Sequence, residues 1–459
     1  MTENLDLSIS NYLSKKIIID EELLLAAKLT ILDTFGCIIE ASSHQEVINF
    51  AFQSQEVDEG SNPFELVKEI QDPKDISFAL TVLTRWFDYN DTFLAKEWAH
   101  PSDNFGSVFS YFVSNQHLLF EDFITSLVQT YEIQGSLCLG TSLNKEGYDH
   151  VFYVKLASGA VYSHLINDGN KEIVRRTINN ILLDGPSLRS YRHFPNVGKR
   201  KSWAAADASK RGMELAQFSK FDDEIYETIQ ITENWGFENV YMDDQRMAFG
   251  KELDSWVLKN ILFKVLFPAE FHGQSAVEAA IKLSSEFNEK IKSVKQINIY
   301  THEPAVRIIS NKTVLKNASD RDHSLEYMVA AALLFGDLTY EMYEDDFGGK
   351  DRIEELRKNI FVQEDKTFTE NYYEFSKRDI SNSVEIQYSD DSKSKLETVI
   401  NPIGHPTRRE EAVPLLKNKF TKNLSKLFST EKAEFIWDGV MSLSNKDEVS
   451  KLLKLFHND

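Results

Sequence analysis

The chain is poor in cysteine, in proline and in positive charge, and it has no long apolar run. Its two cysteines, Cys37 and Cys138, both sit in apolar stretches, DTFGCIIEA and GSLCLGTS. Buried free thiols are the expected state, as in a reducing compartment. The count also excludes a class of chemistry. A [4Fe–4S] cluster of the kind used by aconitase-type hydratases needs at least three protein thiolates, and two cysteines cannot supply them. Ten prolines and 27% charged residues argue against a fibrous or largely disordered chain. No apolar run reaches the roughly 18 residues of a membrane span. The opening MTENLDLSISNYLSKK lacks the basic-then-apolar order of a secretory signal, so a cytoplasmic protein is expected. Lys and Arg number 51 against 72 Asp and Glu, a net charge of −21. Such a field repels nucleic acid and anionic lipid. The bland reading of the acidity, solubility, suffices for the whole, but it makes any local cationic cluster informative.

What is present is material for sizeable cores. Hydrophobic residues make up 42% of 459, and at roughly 150 residues per domain two to three folding units are expected. Residues 20 to about 260 read mostly as helix. DEELLLAAKLTILDTFGCIIEA has apolar residues near a 3.6 period, with Asp20 as cap and acids in the first turn. SFALTVLTRWF, LFEDFITSLVQTYEIQGSLCL, HVFYVKLASGAVYSHLI and ADASKRGMELAQFSK read likewise. The character changes near residue 265. FHGQSAVEAAIKLSSEF is helical, VKQINIYTH alternates like a half-buried strand, RDHSLEYMVAAALLFGD is helical, and VEIQYSD and KLETVINP are strands around an acidic turn. The fold class is therefore mainly α, with a smaller α+β domain. After Pro402 the chain is helical again.

Four stretches are too polar and irregular for ordinary core. RWFDYNDTFLAKEWAHPSDNFGSV sets Asp91 and His100 among aromatics. A capping turn accounts for its Ser-Asp-Asn but poorly for Asp91 and His100. GPSLRSYRHFPNVGKRKSWAAADASKRG carries Arg189, Arg192, Lys199, Arg200 and Lys201, with no acid between Asp184 and Asp207. A polyanionic small molecule suits this shaped, cationic loop better than a solvated face does, since arginine clamps carboxylates and lysine adds a point charge. LFKVLFPAEFHGQSA buries Lys264 in an apolar run, where it needs an anionic partner or a path to solvent. NASDRDHSLEYMVAA starts a helix with Arg321, His323 and Tyr327, and a cap explains part of it. His150, in GYDHVFY, reads on its own as a structural histidine.

Taken together, DYNDTFLAKEWAHPSDN, YEIQGSL, DHVFYVKLAS, LRSYRHFPNVGKRKSWAAADA, LFKVLFPAEFHGQSAVEAA, DRDHSLEYMVAAALLFG and NPIGHPTRR resemble the MmgE/PrpD family, in its 2-methylcitrate dehydratase branch. They run in family order from about residue 30 to 410. The resemblance implies an all-helical domain over 1–265, an α+β lid over 266–402, and C-terminal helices over 403–459 that return to the helical domain. It also implies a homodimer, no metal or other cofactor, an active site between the two domains, and dehydration of 2-methylcitrate in propionate catabolism (the methylcitrate cycle); it leaves open whether citrate and cis-aconitate are also substrates. By motif it assigns catalytic roles to Asp91, His100, His150, Lys201 and Lys264, and substrate contacts to Arg192, Arg321 and Tyr327. Lys264 differs in its spacing to Phe267 from the decarboxylase relatives.

Dehydration takes a proton from carbon next to a carboxylate and expels hydroxide from the neighbouring carbon. It therefore needs a base, an acid for the poor leaving group, and cations for the developing dianion. Asp91 or a histidine is the expected base and His100 or His150 the acid, with Lys201, Lys264 and Arg192 on carboxylates and Tyr327 orienting substrate. The rivals are a cis-aconitate decarboxylase, an epimerase of a small dicarboxylate and a non-catalytic binder of citrate-like anions. KEWAHPSDN and SYRHFPN favour the dehydratase.

Overall fold

Asp20 stands ahead of two acids and an apolar run, and its side chain accepts from Leu23 N at 2.7 Å to start the helix Glu21–Ser42. The computed structural model describes residues 4–53, 57–58, 60–193, 196–243 and 245–457. Phe194 and Pro195, part of the SYRHFPN motif, lie outside the described residues. The other periodic stretches become helices Pro73–Arg85, Phe120–Gly140, Val151–Ile166 and Arg200–Phe218. The last two cross closely because two glycines face the crossing. A Cβ on Gly212 would stand 2.3 Å from the Lys155 oxygen, and one on Gly159 2.9 Å from the Gly212 oxygen. Val151 and Val154 meet Ala204, Ala205 and Ala208 in one buried cluster. The start of one helix thus packs on the start of the other.

The chain divides into two compact units. The first comprises Met1–Tyr191, Arg200–Leu262 and Leu416–Asp459; the second comprises Arg192–Lys199 and Phe263–Leu415. The C-terminal residues from Leu416 thus pack with the helical unit, and the helix Arg409–Leu424 carries the boundary.

The second unit holds a four-stranded sheet. Its order is Ile360–Glu364, Val294–Thr301, Asn382–Tyr388, Glu397–Val399, the first pair parallel and the others antiparallel. Helices Gln274–Glu289 and Leu325–Phe335 share a core with it, through Val277, Ala280, Met328, Ile297, Ile299 and Ile386. The edge strand Ile360–Glu364 carries no alternating signal, because most of its residues are exposed or half-exposed. No helix among the described residues is long and apolar enough to cross a membrane. Cys37 and Cys138 are free and buried.

Candidate active site

A small hairpin brings Asp91 and His100 together. Strands Phe93–Leu94 and Trp98–Ala99 pair antiparallel, with Phe93 opposite Ala99. His100 Nδ1 then lies 2.7 Å from the main-chain oxygen of Asp91. A carbonyl only accepts, so Nδ1 carries the proton. Nε2 is 3.0 Å from an Arg85 Nη2 group, and a guanidinium only donates, so Nε2 presents a lone pair. His100 is a neutral imidazole whose tautomer is fixed from both ends. Arg85 in turn pairs with Asp88, which holds a left-handed φ of 51° that few non-glycine residues adopt.

The Asp91 carboxylate is engaged elsewhere. Oδ1 accepts from Ser102 N at 3.0 Å and Ser102 Oγ at 2.8 Å, and Oδ2 accepts from Tyr131 OH at 2.8 Å. Full burial outweighs these donors and pushes its pKa up to about 6, with the Asp33 charge adding in the same direction. Asp91 therefore acts on His100 through its carbonyl, while its carboxylate organises Ser102 and Tyr131.

His150 stands at the N-terminal boundary of the helix Val151–Ile166. Its Nδ1 is 3.3 Å from Asp149 Oδ1 and 3.3 Å from Arg189 Nη1. Asp149 also accepts from Val151 N at 3.1 Å, so this carboxylate starts the helix beside the imidazole that Arg189 donates to. The rings of His100 and His150 have centroids 6.1 Å apart. Arg189 stacks over Trp98 at 5.3 Å. Beside it lies Glu97, whose carboxyl burial raises even though the Arg189 charge and Asn144 donors oppose this. Lys201 is 5% exposed, in the first turn of Arg200–Phe218. The sequence placed it in a loop; the structure makes it helical, one turn before the alanines that pack against Val151 and Val154. Arg200 is turned to Trp203, 4.3 Å over its ring, and to Asp207 at 3.2 Å.

Arg85 and Asp88 lie in the polar 85–108 stretch but were given no role from sequence, and Asp149 escaped it altogether. The i,i+3 spacing of Arg85 and Asp88 at a helix end was the available signal for the first two.

The second unit contains the remaining candidates. Lys264 is 1% exposed and lies within electrostatic range of Glu270. Burial alone would raise the Glu270 carboxyl. The charge and hydrogen bond of His272 (Nδ1 to Oε1, 2.8 Å), with the charges of His323 and Lys264, bring it down to about 2 instead. His272 Nε2 is 3.1 Å from Tyr372 OH. Arg192 is half-buried in the turn Ser190–Arg192.

Arg321 and Tyr327, expected to hold substrate, are engaged differently. Arg321 donates to the Tyr343 oxygen and pairs with Asp345, and Tyr327 OH donates to the Met342 oxygen at 2.7 Å. Burial pushes the Tyr327 phenol up to about 12. Both side chains fasten the turn Tyr340–Tyr343, Arg321 from the end of the helix Ala318–Arg321 and Tyr327 from the first turn of Leu325–Phe335, which Ser324 caps.

This arrangement can be set beside known proteins. Residues 8–250 match the MmgE/PrpD N-terminal domain and residues 267–444 the MmgE/PrpD C-terminal domain. The chain belongs to the MmgE/PrpD family. Among MmgE/PrpD relatives it is 37% identical to a protein of Salmonella typhi named 2-methylcitrate dehydratase, over 90% of this chain and 88% of that one. It is 36% identical to a Saccharomyces cerevisiae protein named probable 2-methylcitrate dehydratase, over 94% and 88%. A Yarrowia lipolytica relative, 37% identical over 92% and 84%, is named 2-methylcitrate dehydratase, mitochondrial.

Proposed function

We propose that this MmgE/PrpD protein is a 2-methylcitrate dehydratase, a hydro-lyase that forms 2-methyl-cis-aconitate and water. Bacterial and fungal relatives of that name match it over most of its length. The observation that carries the chemistry is the pair of neighbouring histidines, with His100 held as its Nδ1–H tautomer by the Asp91 carbonyl at one nitrogen and Arg85 at the other.

His100 takes the proton from the carbon next to a carboxylate through Nε2, whose lone pair is exposed as Arg85 turns from it to a substrate carboxylate. The C–H electron pair becomes the new double bond as the C–O bond of the neighbouring carbon breaks. His150, whose Nδ1 faces the donor Arg189 so that Nε2 carries the proton, protonates the departing hydroxyl so that it leaves as water. Arg85, Arg189 and Lys201 supply positive charge for the carboxylates and the developing dianion. By motif, Lys264 and Arg192 are further candidates for carboxylate binding.

The protein works in propionate catabolism, in the cytoplasm and as a homodimer under this reading. Two buried free thiols suit a reducing compartment. Phe221 and Trp235, 84% and 82% exposed, are apolar side chains suited to contact with a second copy.

The test is to mix chelator-treated protein with 2-methylcitrate and follow the ultraviolet band of a conjugated unsaturated carboxylate. A rise that chelator leaves undiminished supports the assignment. A flat trace, with the band of cis-aconitate lost and carbon dioxide released, would move the protein to decarboxylation.

A further inference from the structure

Lys419, on the helix Arg409–Leu424, is 3% exposed at its side chain and bonds Asp33 Oδ1 at 2.7 Å, where Asp33 is 1% exposed. The same ammonium donates to the main-chain oxygen of Tyr89 at 2.7 Å and lies 3.8 Å over the Tyr89 ring. Tyr89 stands between Asp88, at its left-handed φ, and Asn90, whose Nδ2 donates to Ser102 Oγ at 2.8 Å. One residue further is Asp91, whose carbonyl holds His100. The Tyr89 carbonyl that Lys419 holds is therefore two residues along the chain from the Asp91 carbonyl that holds the imidazole.

We propose that Lys419 is a positioning residue for His100, fixing the Tyr89–Asp91 segment on which the imidazole's tautomer and aim depend. Burying an ammonium and a carboxylate is expensive, and the pair is often replaceable by apolar residues of similar volume without loss of stability. What apolar residues cannot replace is the bond to the Tyr89 oxygen. The loop carries a residue in a sparsely populated backbone region, so it needs external contacts to keep one conformation. Lys419 supplies one of these from a segment more than three hundred residues away in sequence.

The proposal rests on His100 as a catalytic base, and its test separates the two ideas. D33L/K419M replaces both partners; K419M alone strands a buried carboxylate and serves only as the unstable reference. The double variant should recover much of the melting temperature lost in K419M. Its kcat on 2-methylcitrate should still fall by roughly 10- to 100-fold with KM moved far less, as misplacement of a reacting group predicts. Amide exchange over Asp88–Asp91 should accelerate in it relative to wild type. A double variant that regains both stability and kcat, or one whose loop exchange matches wild type, overturns the positioning role. Wild type inert towards 2-methylcitrate would sink the functional reading instead, while loop exchange would still decide the role of Lys419.

Discussion

His100 is held by the main-chain oxygen of Asp91, 2.7 Å from Nδ1, and not by the carboxylate of that residue. An asparagine amide can reproduce an Nδ1–H donor but offers nothing in place of Nε2. His100→Asn should therefore keep the hairpin and lose the base. Turnover should fall by about 10²–10⁴-fold, with a melting temperature close to wild type. His100→Gln, which cannot make the Nδ1 bond, should lose stability as well. Paired melting curves and initial rates check both.

Lys201 is buried in the first turn of its helix, beside the cluster that starts the His150 helix. Lys201→Ala should cripple turnover and leave the circular dichroism spectrum unchanged, because alanine favours the helix. Near-wild-type activity in that variant would remove Lys201 from the site.

The Asp91 carboxyl, raised from 3.8 to about 6, makes the folded protein bind more protons than the unfolded chain between those pH values. Its contribution to stability is fully present below about pH 4 and is lost as pH rises through about 6, roughly 3 kcal/mol across the window. Asp91→Asn does not titrate. The unfolding free energy of wild type minus that of Asp91→Asn should therefore decline from pH 4 to pH 7, read from urea melts at each pH. A difference that rises over this range would contradict the assignment.

Gly404, in the NPIGHP segment, has a φ of 100°, and a Cβ there would stand 1.9 Å from the Phe263 oxygen. Its own oxygen accepts from Phe263 N at 3.1 Å, immediately before Lys264. Gly404→Ala should cost at least about 2 kcal/mol of stability through strain and clash. The loss should register in proteolysis of the second unit.

Where sequence and structure agree, local chemistry was strong. Asp20 caps its helix, the valine- and isoleucine-rich 294–301 segment is a strand, and Asp91 and His100 are close because a hairpin spans the short gap between them. Where sequence fell short, the deciding contact was remote or local patterning was weak. Tyr131 lies 40 residues from Asp91, and Arg85 sits on a preceding helix that no pattern couples to His100. Arg321 and Tyr327 were assigned to substrate by motif, and in the structure both bond the backbone of the turn Tyr340–Tyr343. Lys201 fell among glycine and proline neighbours that suggested a loop, and the alanine run after it carried the helix back over it.

The first unit is stitched from three separate stretches of chain, and its buried Asp33–Lys419 link joins positions 386 residues apart. At translation rates of roughly 5–20 residues per second, about 20–80 s pass between the synthesis of one partner and the other. Throughout that interval the nascent helical bundle carries a carboxylate whose lysine has yet to be made, and the inserted unit emerges in between. A ribosome-bound chain is therefore immature at its catalytic loop until its closing helices are released.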